Sequence, residues 1–391
     1  MTKILYLVHD LDDPATGRRV DMLKAGGAQV ELAGFRRATT PRAGTATVLG
    51  QTHNGRFVHR AMGALRVLTR ARAIAGSSTP DVILARSLEM LPLARRIQAM
   101  APKGRKPRLI YEVLDIHRLM LGQGVIPAIL RLIEGRLCRT AERVIVSSLR
   151  FDAAYFARYG RITAPLVLVE NKIWDPAMLD GPALQPCGSR HSDESVTIGW
   201  FGVLRCAASL RCLDDLCQRG GGRVKLVLRG RAALDSIPDF HRIVDTNPFI
   251  TFHGPYAYPQ DLALIYSGID IAWLIDRMDA GANSDWLLPN RLYESCGHGC
   301  IPLALAGTET ARYLERRTLG LLLKSLDPDS LGDLLTGLDD TTRAALRAEI
   351  LAQNPRSWRM TQDACVDLVD LLAGHAKARH VSPIQSKEPA R

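Results

Sequence analysis

The feature that most constrains this chain is an alternation of short, continuous apolar runs with helical stretches, and it occurs twice. Ile4 to Val8 is followed by a polar loop, a helix opened by Pro14 that carries Val20 and Leu23, a stop at Gly26-Gly27, and a second run from Val30 to Ala33. Further runs follow at Val82 to Ala85, Leu109 to Val113, Val144 to Ser147 and Pro165 to Val169. Runs that are apolar throughout, rather than at every second residue, suit strands covered on both faces. A parallel sheet wrapped by helices is the architecture that requires such strands. Asn171 to Ser189 is rich in Pro and turn residues and has no period, so it reads as a crossing between domains. The alternation restarts at Val196 to Phe201 and continues through Val224 to Leu228, Phe249 to Phe252, Asp270 to Leu274 and Ile301 to Leu305. The expected fold class is therefore α/β, with two Rossmann-like doubly wound parallel-sheet domains spanning residues 1–175 and 190–355. A chain of 391 residues exceeds one ordinary core, which agrees with two domains. Ser357 to Ala373 reads as a last amphipathic helix and residues 375–391 as a disordered basic tail.

Composition narrows the function classes. With 47% hydrophobic and 23% charged residues, the chain has the make-up of a globular enzyme. No apolar run approaches the roughly 20 residues that cross a bilayer, and Ile4 to Val8 is too short for a signal peptide. A cytoplasmic location is expected. The eight cysteines form no C-x-x-C pair, so reduced thiols are expected. Cys296, His298 and Cys300 lie at alternate positions, which suits no common structural zinc site; packed side chains are the expectation, and no metal.

The charge is uneven. From Arg36 to Arg108 fifteen Arg and Lys residues face only Asp81 and Glu89, a local net charge of +13 against +11 for the whole chain. Within this segment Arg56 to Ala75 projects as a helix. Phe57, Ala61, Met62, Leu65 and Leu68 lie on one side; Arg56, His59, Arg60, Arg66 and Arg70 lie on the other. A basic amphipathic helix suits an anionic lipid surface, and a helix packed on its own sheet with a solvated back is the alternative. The peripheral inner face of the plasma membrane is thus the expected position. Nucleic acid is not an expected partner, because aromatic stacking residues and zinc-finger or helix-turn-helix spacings are lacking. Thr39 to Gly55, polar and rich in Gly and Thr, is expected to be a mobile loop.

The chemistry concentrates in Ser284 to Pro302. Pro289 can start a helix over Asn290 to Cys296, Gly297 and Gly299 end it, and Ile301 to Leu305 forms a strand. A helix start favours phosphate, and a carboxylate one turn on, Glu294, can accept the hydroxyl protons of a ribose. A nucleotide is the ligand this pairing suggests; a solvated helix Glu is the alternative. The first strand, in contrast, ends in the carboxylate-rich His9-Asp10-Leu11-Asp12-Asp13 and lacks G-x-G-x-x-G, so the diphosphate is not expected there. Gly202, after the strand at Val196, lets the chain approach a phosphate, and Arg205 could neutralise a leaving diphosphate. Gly230 and Gly254 would shape the same pocket or serve only as turn glycines.

P-N-R-L-Y-E-S-x-G-x-G-x-I-P, from Pro289 to Pro302, resembles the donor-binding motif of glycosyltransferases with the GT-B fold. With H-D-L-D-D-P-A-x-x-R-R from His9 to Arg19 and Y-E-V-L-D-I-H from Tyr111 to His117, it resembles in particular the bacterial exopolysaccharide glycosyltransferases of the succinoglycan type, over roughly residues 3 to 370. The resemblance implies two domains facing across a cleft, the second holding the donor (Gly202, Arg205, Gly230, Asn290, Arg291 and Glu294), and residues 356–374 packing back across the first. It implies a hexose, glucose carried by UDP-glucose, transferred to a lipid-linked oligosaccharide in exopolysaccharide biosynthesis, with no metal or other cofactor. Where the family has G-R-L and a later Lys, this chain has Val203 after Gly202 and Ala208 at the Lys position, leaving the diphosphate to Arg205 with Arg291 or Arg211. Asp115 is the implied base if the reaction inverts, with His117 beside it; Asp10 and His9 are the rival pair, and helix capping is the alternative for each. Glu112 is expected to be half-buried in its strand. The D-x-D within Asp10 to Asp13 would suit a metal-dependent GT-A enzyme, but there it lies mid-chain. A nucleotide-sugar 2-epimerase and a non-catalytic partner protein of the same fold are the competing readings.

Overall fold

The computed structural model describes residues 1–36, 46–51, 67–75, 79–159, 162–176 and 195–375. They divide into two units. One comprises Met1–Glu170 with the chain from Thr361 onward, the other Asn171–Met360.

The first unit is built on a seven-stranded sheet of β1 (Lys3–Val8), β2 (Gln29–Arg36), β3 (Thr47–Gln51), β4 (Val82–Arg86), β5 (Arg108–Val113), β6 (Ala141–Val146) and β7 (Leu166–Leu168). Its order is β3-β2-β1-β4-β5-β6-β7, and every neighbouring pair is parallel. Tyr6, Leu7, Val82 to Ala85 and Leu109 to Ile110 are almost wholly buried, which is why these runs show no alternation. The order reverses between β1 and β4, so the loops after these strands meet at a switch point.

The second unit has a six-stranded parallel sheet of β8 (Val196–Leu204), β9 (Val224–Ala232), β10 (Ile250–Phe252), β11 (Ile271–Trp273), β12 (Ile301–Leu305) and β13 (Leu321–Leu323), in the order β10-β9-β8-β11-β12-β13. Here the switch point lies between β8 and β11. Trp200, Phe201, Trp273, Leu292 and Tyr293 fill its core.

Several expectations need correction. Thr47–Gln51, expected within a mobile loop, is an edge strand on β2 anchored by buried Leu49. Gly202 to Arg205, expected to lie beyond the strand at Val196 to Phe201, is largely strand, since β8 runs on to Leu204. It pairs there with the end of β9, Gly202 opposite Gly230 and Leu204 opposite Ala232. The glycines mark a close approach of two backbones rather than the end of a strand. The last helix begins at Gln362, not Ser357, because Thr361 caps it by accepting the Ala364 N–H at 3.2 Å. This helix (Gln362–Ala373) packs in the first unit on the helix Pro14–Ala25. Gly26 lies so close to the Cys365 carbonyl that a Cβ there would sit 2.2 Å from its oxygen. Of the basic helix expected over Arg56 to Ala75, Arg56, Arg60 and Arg66 lie outside the described residues. Leu68–Arg70 and Ala71–Ile74 are helical, with Ala71 and Ile74 buried and Arg70 exposed. The tail beyond His375 is also outside the described residues.

Candidate functional site

In the second unit Pro289, extended at ψ 151°, caps the helix Asn290–Gly297. Its apolar face (Leu292, Tyr293, Cys296) enters the core, and Glu294 is drawn in with it, 4% exposed. An ionised carboxylate at that depth needs donors, and Tyr266 Oη supplies one to Glu294 Oε2 at 3.1 Å. The Tyr266 hydroxyl is pushed well above its ordinary range, by burial first and by the Glu294 charge second, so it stays a donor. His298 stacks on the Tyr266 ring with centroids 5.2 Å apart and donates from Nδ1 to the Glu294 carbonyl at 2.7 Å. Burial lowers its pKa below the ordinary imidazole value, leaving a neutral ring. The Cys300 thiol donates to the Tyr266 carbonyl at 3.1 Å, so all three members of Cys296-x-His298-x-Cys300 are buried beside one another. Among the described residues no group of three His, Cys, Asp or Glu is arranged to hold a metal ion.

Arg205 and Arg291 converge beside the switch point. Arg205 Nε donates to Asp276 Oδ2, just past β11, at 2.7 Å, and Arg291 Nη1 donates to the Phe201 carbonyl at 3.1 Å. Burial alone would raise the Asp276 carboxyl, but Arg205, the Met278 N–H and Arg291 together hold it below the usual carboxylate range. Two guanidinium groups around one carboxylate leave a net positive charge at the end of β8. Next to it Gly230 adopts φ +124°, and a Cβ there would lie 1.9 Å from the Gly202 carbonyl oxygen. Gly202, at φ +104°, has open space where its Cβ would be. The Gly230 N–H donates to the Gly254 carbonyl at 2.8 Å, so three glycines lie together at the ends of these strands. Asp276 was not singled out from sequence; its only signal was a carboxylate two residues past the run Asp270 to Leu274.

The strand ends of the first unit are organised by charge. Glu112, expected to be half-buried, is 0% exposed. Its oxygens receive Arg19 Nε at 2.8 Å, Arg86 Nε at 2.8 Å and Tyr6 Oη at 2.6 Å. Burial would raise this carboxyl, yet Arg86 and Arg19 bring it down to about 2. Arg86 also donates to Thr16 Oγ1 at 3.3 Å, and Thr16 in turn donates to the Asp10 carbonyl at 3.0 Å. The network therefore reaches the loop after β1. In that loop Asp10 is buried and accepts the Asp12 N–H at 2.9 Å, while Asp13 caps the following helix through the Ala15 N–H at 2.9 Å. Asp115 is exposed beyond β5. His117, half-buried, accepts the Leu119 N–H at Nδ1, 3.2 Å away, as the cap of the helical turn Arg118–Leu121. His9 follows β1 and Ser87 follows β4, adjacent strands. His9 Nδ1 and Ser87 Oγ are both shielded from solvent without a hydrogen-bond partner, and Ser87 holds φ +72°. Strain of this kind collects at binding sites. Ser87 had no sequence signal, because no motif encodes its backbone angle.

Two parallel, doubly wound sheets of this order form the GT-B fold of glycosyltransferases. Solved structures with it include HepE of Anabaena in complex with UDP and glucose (TM-score 0.66, 16% identity, 96% of this chain and 100% of that one). Sucrose-phosphate synthase of Thermosynechococcus elongatus gives a TM-score of 0.69 at 13% identity, covering 95% and 98%. WaaG, a glycosyltransferase involved in lipopolysaccharide biosynthesis, gives 0.61 at 12%, covering 94% and 99%. No family model matches the chain. In sequence it is 43% identical over 379 residues to the succinoglycan biosynthesis protein ExoL of Rhizobium meliloti (strain 1021), a match spanning 95% of this chain and 94% of that protein. The chain belongs to the ExoL family of bacterial exopolysaccharide proteins, built on the GT-B fold.

Proposed function

We propose that this protein is a cytoplasmic glycosyltransferase that moves glucose from UDP-glucose to a lipid-linked oligosaccharide at the inner membrane face, during exopolysaccharide assembly. The observation that carries the reading is the identity with the succinoglycan protein over nearly the whole chain, joined to a second unit whose strand ends suit a nucleotide diphosphate. Glu294, steadied by Tyr266, receives the ribose hydroxyls; Arg205 and Arg291 meet the diphosphate; Gly202 and Gly230 let it lie against backbone; Asn290 opens the helix that frames it. The acceptor oxygen attacks the anomeric carbon, the bond from that carbon to the phosphate oxygen breaks, and UDP leaves with the electron pair. Arg205 and Arg291 stabilise the charge that develops on UDP, so the reading requires no metal. In an inverting course Asp115 takes the hydroxyl proton, with His117 and the His9–Asp10 loop arranging the acceptor.

Release of UDP from UDP-glucose tests the proposal. The expected result is release that rises strongly when membrane lipid extract is added and that transfers labelled glucose to the lipid fraction. Release with no transfer under any acceptor, or UDP-glucose turned into an epimer without an acceptor, would overturn it.

A further inference from the structure

The helix Val125–Leu137 is turned inside out. The two residues it buries are Glu134 and Gly135, whereas Val125 (73% exposed), Ile126 (66%), Ile129, Leu132 and Ile133 face outward. Their spacing of three and four residues makes one continuous stripe about 12 Å long. Such a stripe on a solvated helix is costly unless something covers it. The inward side explains the inversion. Glu134 accepts Tyr111 Oη, from β5, at 3.0 Å and Tyr155 Oη at 2.6 Å, so polar bonds help pin the helix to the first unit. Arg131 pins its start, donating to the Met120 carbonyl at 2.6 Å and the Gly122 carbonyl at 3.0 Å.

We infer that this stripe is the surface by which the first unit seats in an anionic lipid leaflet. Charge selects that occupant. Exposed Arg136 lies on the helix and exposed Arg139 just past its end, and the helix's own carboxylate is the buried Glu134. Downstream, Glu142 is taken by Arg108 at 2.6 Å. A symmetric pair of copies meeting on this helix would oppose the same two arginines with no carboxylate of the helix to receive them. The stripe is also wholly aliphatic, lacking the aromatic anchors that protein interfaces concentrate. A leaflet bearing phosphatidylglycerol offers hydrocarbon to the stripe and phosphate to these arginines. The helix starts eight residues after His117, so seating it would hold the Asp115–His117 loop near the head groups, where a lipid-linked acceptor presents its sugar. That last consequence rests on the proposed function; the surface itself does not.

Sedimentation with vesicles tests it, comparing equal parts phosphatidylglycerol and phosphatidylcholine with phosphatidylcholine alone. The full chain should bind the mixed vesicles more tightly, and added salt should weaken that binding. The variant Ile126→Gln/Ile129→Gln/Ile133→Gln should partition about a hundred-fold less, with circular dichroism and UDP-glucose binding unchanged. An Ile129→Trp variant should gain blue-shifted emission on adding the mixed vesicles. Undiminished vesicle binding by the triple variant would overturn the inference. So would self-association of the parent that the triple variant loses, with vesicles ignored. If neither protein binds UDP-glucose but only the parent binds vesicles, the surface stands and the enzymatic reading falls.

Discussion

The two sheets end in opposite ways. Beneath the loops of the first, a fully buried carboxylate, two arginines and a tyrosine form a rigid charged lattice that fixes the Asp10 loop through Thr16. At the ends of the second, Gly202, Gly230 and Gly254 bring backbones together beside Arg205 and Arg291, and Gly202 leaves open space where its Cβ would be. On the proposed function, the first set of loops holds carboxylates toward a neutral acceptor, and the second offers room and positive charge to a diphosphate. Strand-end chemistry can differ in this way because it is free to vary while the buried strands are not.

This contrast can be broken by substitution. The largest effect belongs to Glu112→Gln, which strands Arg19 and Arg86 in the interior and should cost about 3–5 kcal/mol of stability in chemical denaturation. The same residue sets an acid limit. Its folded carboxyl titrates at about 2, against an ordinary 4.5, so its stabilisation is complete above pH 4.5 and is lost as pH falls toward about 2. Denaturation midpoints of the Glu112→Gln variant should lack that acid-dependent component. Next comes Gly230→Ala, whose methyl would collide with the Gly202 carbonyl and should cost about 2–4 kcal/mol. Gly202→Ala, with open space but the same sign of φ, should cost about 1–2 kcal/mol. Equal costs at the two glycines would show that the close approach of β8 and β9 carries no energy. Arg205→Ala should weaken UDP-glucose binding about ten-fold by calorimetry while barely moving the unfolding midpoint. The smallest effect is expected of Tyr266→Phe, about 1 kcal/mol in donor affinity through a less firmly held Glu294.

Much of the architecture was legible because strands buried on both faces announce themselves. Ile301–Leu305 is apolar throughout and is strand over those same residues. The edge strand Thr47–Gln51 escaped because only Leu49 of its five residues is buried, which leaves a polar segment that reads as a loop. Gly202 was placed beyond the end of its strand because a sequence does not distinguish a strand that stops from two strands that touch. The buried lattice had a signal that went unused. A Glu inside the apolar run Leu109 to Val113 demands a cation, and Arg86 ends the run beside it, opposite Glu112 in register. Arg19, on a helix that looks amphipathic with a charged back, gave no such hint. In the second unit, a partner of Glu294 comes from Tyr266, twenty-eight residues away, a pairing set by topology rather than by local spacing.

Calorimetric titration of UDP-glucose into the protein and its Glu294→Ala variant bears most directly on the account. It predicts binding by the parent and about 10- to 100-fold weaker binding by a variant that remains folded. A folded variant that binds as tightly as the parent, or a parent that binds no nucleotide sugar, would contradict it.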